Sequence, residues 1–210
     1  MSVTPNNGLD DRKTIRVHQC ISGFTQSQKR IHGVFELAEK LHDRGFNNTI
    51  SRVSLRPWDS DWAEVAESIF LLGRHHKANV IVNIYAYSWG VGWGATQLCK
   101  ELKKRGIQVH CLVASDGVFR HPNPLMRWTS LLRRDLRFSP VIRVSNVTNV
   151  VWFRQANSRP QGHTIVGGKD FSGLIYESTE LSVAHAYMDD AEQFHNAALV
   201  LAAALNEVVL

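Results

Sequence analysis

Apolar and polar positions along this chain switch repeatedly between a two-residue and a 3.6-residue period. Thr14-Ile15-Arg16-Val17-His18-Gln19-Cys20-Ile21 reads as a strand, and Ser22-Gly23-Phe24-Thr25-Gln26-Ser27 as a polar turn into a helix. That helix carries apolar residues at Ile31, Val34, Phe35, Leu37, Ala38 and Leu41, and Gly45 stands where it would stop. A second strand is expected over 49–55, broken by Pro57. Asp61, with Glu64 three residues later, offers a capping pair for a helix through Leu72. The β-branched run from Val80 predicts the central strand, and a helix over 93–105 is closed by Gly106. Strands over 107–114, 149–155 and, briefly, 173–177 follow, then a final helix over 189–208 whose apolar stretch 197–205 should lie on the sheet. This alternation predicts an α/β fold: a mostly parallel sheet of about six strands with helices on both faces.

Composition narrows the picture to one body. With 210 residues, 44% of them hydrophobic, the chain can bury one core, and no composition shift or repeat marks a second. We expect one domain over 14–210 after a polar tail, 1–13. Cys20, Cys99 and Cys111 are an odd number without metal-ligand spacing and fall in core elements, which predicts reduced, buried thiols. No signal-peptide pattern and no run of eighteen apolar residues is present, so the expectation is a cytoplasmic protein.

Charge is distributed less evenly. Between Val118 and Val147 stand six arginines (Arg120, Arg127, Arg133, Arg134, Arg137, Arg143) against one acid, Asp135, so this window holds the whole net charge of +5. Nucleic acid is a disfavoured partner, because no zinc knuckle, helix-turn-helix or RNA-recognition motif accompanies the arginines.

Chemistry enters at the end of the central strand. In Ala86-Tyr87-Ser88-Trp89-Gly90 a serine ends the apolar run, with small residues at both ±2 positions and a helical pattern beyond. A strained turn of this kind lifts the serine Oγ above the carboxyl end of its strand, where sites form in parallel sheets. Serine is also a good helix cap, and the turn is open to that reading. A nucleophilic serine needs a histidine to take its proton and a carboxylate to orient the imidazole. Asp116 ends the next strand, although Asp116-Gly117 is also an ordinary turn pair. His185 lies between the last strand and last helix in Val183-Ala184-His185-Ala186-Tyr187-Met188-Asp189-Asp190, where Asp189 or Asp190 would cap that helix. The rivals are weaker: Asp170 for the acid, and His75, His121, His163 and His195 for the base.

The segment Ala86–Gly90 resembles the Gly-x-Ser-x-Gly nucleophile elbow of α/β-hydrolases, with alanine for the first glycine, and the order Ser88, Asp116, His185 is that family's order. The resemblance covers roughly 14–205 and implies a minimal α/β-hydrolase fold. An acid on the strand straight after the nucleophile is similar to the thioesterase branch. It also implies an oxyanion hole from the backbone N–H groups of Trp89 and of Phe24, with Thr25 as fallback, since Ser22-Gly23-Phe24 resembles the family's His-Gly-hydrophobic turn. Gly23 is equally readable as a plain turn glycine.

The window 119–147 falls where such enzymes insert a lid. Leu125, Met126, Trp128, Leu131, Leu132, Leu136 and Phe138 among the arginines predict one or two amphipathic helices, which either cover an acyl pocket, meet an anionic surface or present a solvated basic face. Thr25, Tyr87 and Trp128 are expected to contact substrate. The implied activity is hydrolysis of carboxylic esters or thioesters, small or lipid-like, through an acyl-enzyme. The alternative is an inactive hydrolase-fold protein that binds a partner through 119–147. No metal ligand set, no cofactor and no dinucleotide or phosphate loop is expected; Gly90-Val91-Gly92-Trp93-Gly94 lacks the lysine of a P-loop. Oligomeric state is not encoded in any of these patterns.

Overall fold

A computed structural model describes residues 13–24, 26, 31–45 and 50–204. Its elements in chain order are β1 (Thr14–Ser22), α1 (Gly33–Arg44), β2 (Ile50–Pro57), α2 (Trp62–His76), β3 (Asn79–Tyr87), α3 (Thr96–Lys104), β4 (Val109–Ser115), β5 (Ile142–Val144), β6 (Val147–Gln155), β7 (Ile165–Gly167), β8 (Leu174–Ile175), β9 (Thr179–Leu181) and α4 (Glu192–Ala204). The main sheet runs β2-β1-β3-β4-β6-β8, with β9 also on β6, and every pairing in it is parallel. This is the expected α/β-hydrolase type of architecture. Among the described residues the sheet has seven strands, and β5 with β7 forms a separate parallel pair.

The two faces follow from strict alternation along β3. Val82, Ile84 and Ala86 pack with Ala66 and Ile69 of α2 and Leu98 and Leu102 of α3. Tyr85 and Tyr87 point the other way, against Leu37 and Leu41 of α1 and Phe194 and Ala198 of α4. With both faces covered, the central strands are largely apolar, and the polar residues they do carry, Arg16, His18 and Gln19 of β1 and Asn83 of β3, are buried among them. All three cysteines are buried in these cores, and burial pushes the thiols of Cys99 and Cys111 up to about 12, so both are inert at neutral pH.

Several boundaries differ from those expected, for identifiable reasons. Asp61 caps α2 by accepting from the amides of Ala63 and Glu64, but the helix continues past Leu72 to His76. A π-helical stretch over Gly90–Ala95 precedes α3, so helical structure begins at the elbow itself and not at Trp93. The last helix starts at Glu192, because Asp189 is turned to another task; its expected continuation over 205–208, and Thr49 at the start of β2, lie outside the described residues. Within the basic window there is no amphipathic α-helix, only a 3-10 segment over Pro124–Leu131. Asn123 caps it, and the hydroxyls of Thr129 and Ser130 bond back to the carbonyls of Met126 and Arg127, favouring tight local turns over a regular helix.

Candidate active site

Ser88 stands at the tip of the turn after β3 with φ +54, a left-handed conformation that costs a non-glycine residue free energy. Its neighbours enforce that turn. The Ser88 carbonyl accepts from the amides of Val91, Gly92 and Val118, and its own amide donates to the Ser115 carbonyl at 3.1 Å. The small residue two places on is required by approach of β1: a Cβ on Gly90 would stand 2.6 Å from the Ile21 carbonyl oxygen. Ala86 is fully buried, so a methyl group fits where the family motif has glycine.

From this tip runs a hydrogen-bonded chain of three side chains. Ser88 Oγ lies 3.0 Å from His185 Nε2, and His185 Nδ1 lies 2.6 Å from Asp116 Oδ2. Asp116 is completely buried, and among the described residues its charge is met by neutral donors and the imidazole. Oδ1 accepts from the amides of Gln155 (3.2 Å) and Gly162 (2.9 Å), while Oδ2 also accepts from Gln155 Nε2 (2.9 Å). An acceptor fixed from several sides cannot rotate away from the ring. The rival acid, Asp170, is exposed and paired with Lys103.

The His185 main chain is clamped as firmly. Its amide donates to Ser158 Oγ (2.6 Å), and its carbonyl accepts from the Tyr87 hydroxyl (2.7 Å). Tyr87 thus reaches the site as a support for the histidine turn, and burial beside Asp189 and Asp116 pushes its hydroxyl pKa upward, keeping it a donor. His163, a rival base, is buried next to Asp116; burial drives its pKa down to about 4, and its Nδ1 accepts from the Phe119 amide. His195 lies within α4, as expected, and Lys40 Nζ stands 2.9 Å from its Nδ1.

A cavity of ≈ 320 Å³ opens beside Ser88 and His185, walled by Phe24, Trp89, Leu131, Pro160 and Ala186. Phe24 packs over Trp89 with ring centroids 4.4 Å apart, so the two residues expected to supply oxyanion donors meet at one edge of the cavity. Thr25 lies outside the described residues. Trp128 is 56% exposed and absent from the cavity wall, where Ser130 and Leu131 stand instead. A larger cleft, ≈ 710 Å³, sits at the amino ends of β3 and β4, but no serine or cysteine lines it.

Besides Ser158, three further supports were invisible in the sequence. Gln155 closes the strand end that lacks a carboxylate, and holds Asp116 with two donors. Arg134 donates to the Gln155 carbonyl (2.8 Å) and pairs with Glu180 (2.9 Å), tying the basic window to the acid's holder. Asp189, instead of capping α4, accepts from the Gly33 amide at the start of α1 and from Gln26, whose Oε1 accepts from the Gly23 amide. The loop bearing Phe24 is therefore braced from the histidine turn. Burial, with Asp190 adding to it, raises the Asp189 pKa to about 6.

No protein-family model matches the chain, and no curated protein matches its sequence. Among solved structures it is similar to RedJ, a thioesterase from the prodiginine biosynthetic pathway in Streptomyces coelicolor, at 12% identity over 90% of this chain and 84% of that one, with a TM-score of 0.47. It is also similar to ClbQ from the colibactin NRPS/PKS pathway, at 11% identity over 92% of this chain and 98% of that one, with a TM-score of 0.43. Likenesses this distant carry no weight for the chemistry, which rests on the geometry of the site.

Proposed function

We propose that the protein is a serine hydrolase that cleaves carboxylic esters or thioesters through an acyl-enzyme on Ser88. The observation that carries this reading is the unbroken chain Ser88 Oγ–His185 Nε2–Asp116, on a serine held in the left-handed region at a strand end. His185 takes the Ser88 proton as Oγ attacks the acyl carbon. Asp116 keeps the proton on Nδ1, so that Nε2 is the free base, and stabilises the imidazolium that forms. The backbone N–H groups of Trp89 and Phe24 receive the oxyanion. His185 then returns the proton to the departing alcohol or thiol, and water repeats the cycle on the acyl-enzyme. The apolar wall of Phe24, Leu131, Pro160 and Ala186 suits the acyl chain.

Rapid mixing with a p-nitrophenyl ester tests the intermediate. The expected result is a burst of p-nitrophenol approaching one equivalent per chain, then slower turnover. Release no faster than in buffer would instead favour the non-enzymatic binding protein.

The basic window enters this reading in two parts. Arg137 and Arg127 are exposed and offer charge to an anionic surface, together with exposed Leu125, Trp128 and Phe138. Arg133 is bound bidentately by Asp135, and Arg134 is an internal strut. Arg134→Gln is therefore expected to slow hydrolysis of a small neutral ester by about tenfold to 10²-fold by loosening the acid's holder. Arg127→Gln with Arg137→Gln should leave that rate unchanged and weaken only binding to anionic vesicles. Steady-state rates beside vesicle sedimentation separate the two, and equal losses in both variants would contradict the division.

A further inference from the structure

A further cleft, ≈ 630 Å³, borders the same 3-10 segment whose neighbouring residues line the Ser88 cavity. Ser130 and Leu131 face the serine, whereas Thr129 lines this other cleft. Lys100 of α3, Arg143 of β5, and Arg120 and His121 of the strand connection converge on it, and among the described residues no carboxylate is in its lining. Three cationic side chains, Lys100, Arg120 and Arg143, from three parts of the chain thus face one space in which no acid of the described residues neutralises them.

Arg120 makes this more than a charged surface. It is 8% exposed, and no ion pair satisfies it among the described residues; its buried Nε has no hydrogen-bond partner. Its guanidinium is held between indoles, 4.5 Å from the Trp58 ring centroid, 4.8 Å from Trp93 and 5.4 Å from Trp89. Burial disfavours its charge, the like charge of Arg127 adds to that, and Asp59 acts in the opposite sense. Stacking fixes the plane of a guanidinium while leaving its N–H groups uncommitted, and a planar fork of donors matches the oxygens of phosphate or carboxylate. A cation removed from water in this way is normally compensated by an anion.

We propose that this cleft is a binding site for a phosphate group, either free or as a monoester on a small organic molecule, gripped by Arg120 with Lys100 and Arg143. The exposed rims supplied by Lys100 and Arg143 guide the anion in, and the aromatic and apolar wall of Trp93 and Phe138 takes the organic part of a monoester. The site is separate from Ser88, and it stands or falls independently of the hydrolase reading.

The three tryptophans around Arg120 provide the reporter. Intrinsic fluorescence and melting temperature are followed while the full chain is titrated with inorganic phosphate, with glycerol 3-phosphate, and with sodium chloride at matched ionic strength. Expected is a saturable fluorescence change and a rise in Tm with a phosphate, and neither with chloride. Tighter binding of inorganic phosphate would identify the free ion as ligand, and tighter binding of glycerol 3-phosphate a monoester. Lys100→Ala/Arg143→Ala changes only exposed positions, so it should fold and hydrolyse a neutral ester as before while binding phosphate about tenfold or more weakly. Arg120→Lys, which keeps the charge but loses the fork, should weaken binding similarly. No saturable response beyond that of chloride, or unchanged affinity in a folded Lys100→Ala/Arg143→Ala variant, would overturn the site.

Discussion

Ser88→Ala is expected to lower turnover of a short p-nitrophenyl ester by about 10⁴-fold to 10⁶-fold, down to whatever the oxyanion hole and binding alone sustain. The size of the loss follows from the mechanism: without Oγ no acyl-enzyme forms, and the burst disappears along with the steady rate. Stability should barely change. Among the described residues the Ser88 hydroxyl has a single side-chain partner, His185 Nε2, and the turn itself is held by backbone bonds that alanine keeps. A Tm close to that of the parent chain, with KM unaltered for any residual activity, separates loss of chemistry from loss of fold. Substantial turnover in the folded variant would move the nucleophile elsewhere.

Asp116→Asn carries the second-largest expected effect, about 10⁴-fold in kcat near neutral pH. The carboxylate accepts from His185 Nδ1 at 2.6 Å, which makes that nitrogen the donor and leaves Nε2 free to accept from Ser88. An amide presenting its NH₂ group to Nδ1 reverses the tautomer and puts a proton on Nε2, where a base is needed. The variant also replaces an acceptor surrounded by donors: Gln155 N, Gln155 Nε2 and Gly162 N would now face an uncharged group. Some loss of stability is expected with the loss of rate, so rates are to be compared below the lowered Tm. Asp170→Asn serves as control and should behave as the parent chain, because that carboxylate lies on the surface against Lys103.

How far the chain could be read in advance differs between the grouping of Ser88, Asp116 and His185 and the residues that hold them, and the difference is one of range. Ser88 was legible because the strain of the turn imposes a local signature, small residues on both sides of a serine at the end of a β-branched run. Asp116 and His185 were legible because a parallel sheet brings strand ends together whatever the intervening sequence. Gln155, Ser158, Arg134 and Asp189 had no such signal. Each acts through a single hydrogen bond or a few across tens of residues, and nothing in the neighbouring sequence distinguishes a glutamine that holds a carboxylate from one in solvent. The short strands β5, β7 and β9 escaped for a related reason. At three residues each they carry too little periodicity to register, and they exist because of the edges they pair with. The basic window was misread as helix because its leucines and arginines have helical spacing, which the turn-forming Asn123, Thr129 and Ser130 override locally.

The central claim, that Ser88 is activated as a nucleophile by His185, is tested most directly by covalent trapping. The protein is incubated with a fluorophosphonate, and the intact mass and the proteolytic peptides are determined by mass spectrometry. The account predicts one adduct per chain, on the peptide containing Ser88, that vanishes in Ser88→Ala and forms far more slowly in His185→Ala. An adduct on another residue, or none from a folded protein that still hydrolyses esters, would contradict it.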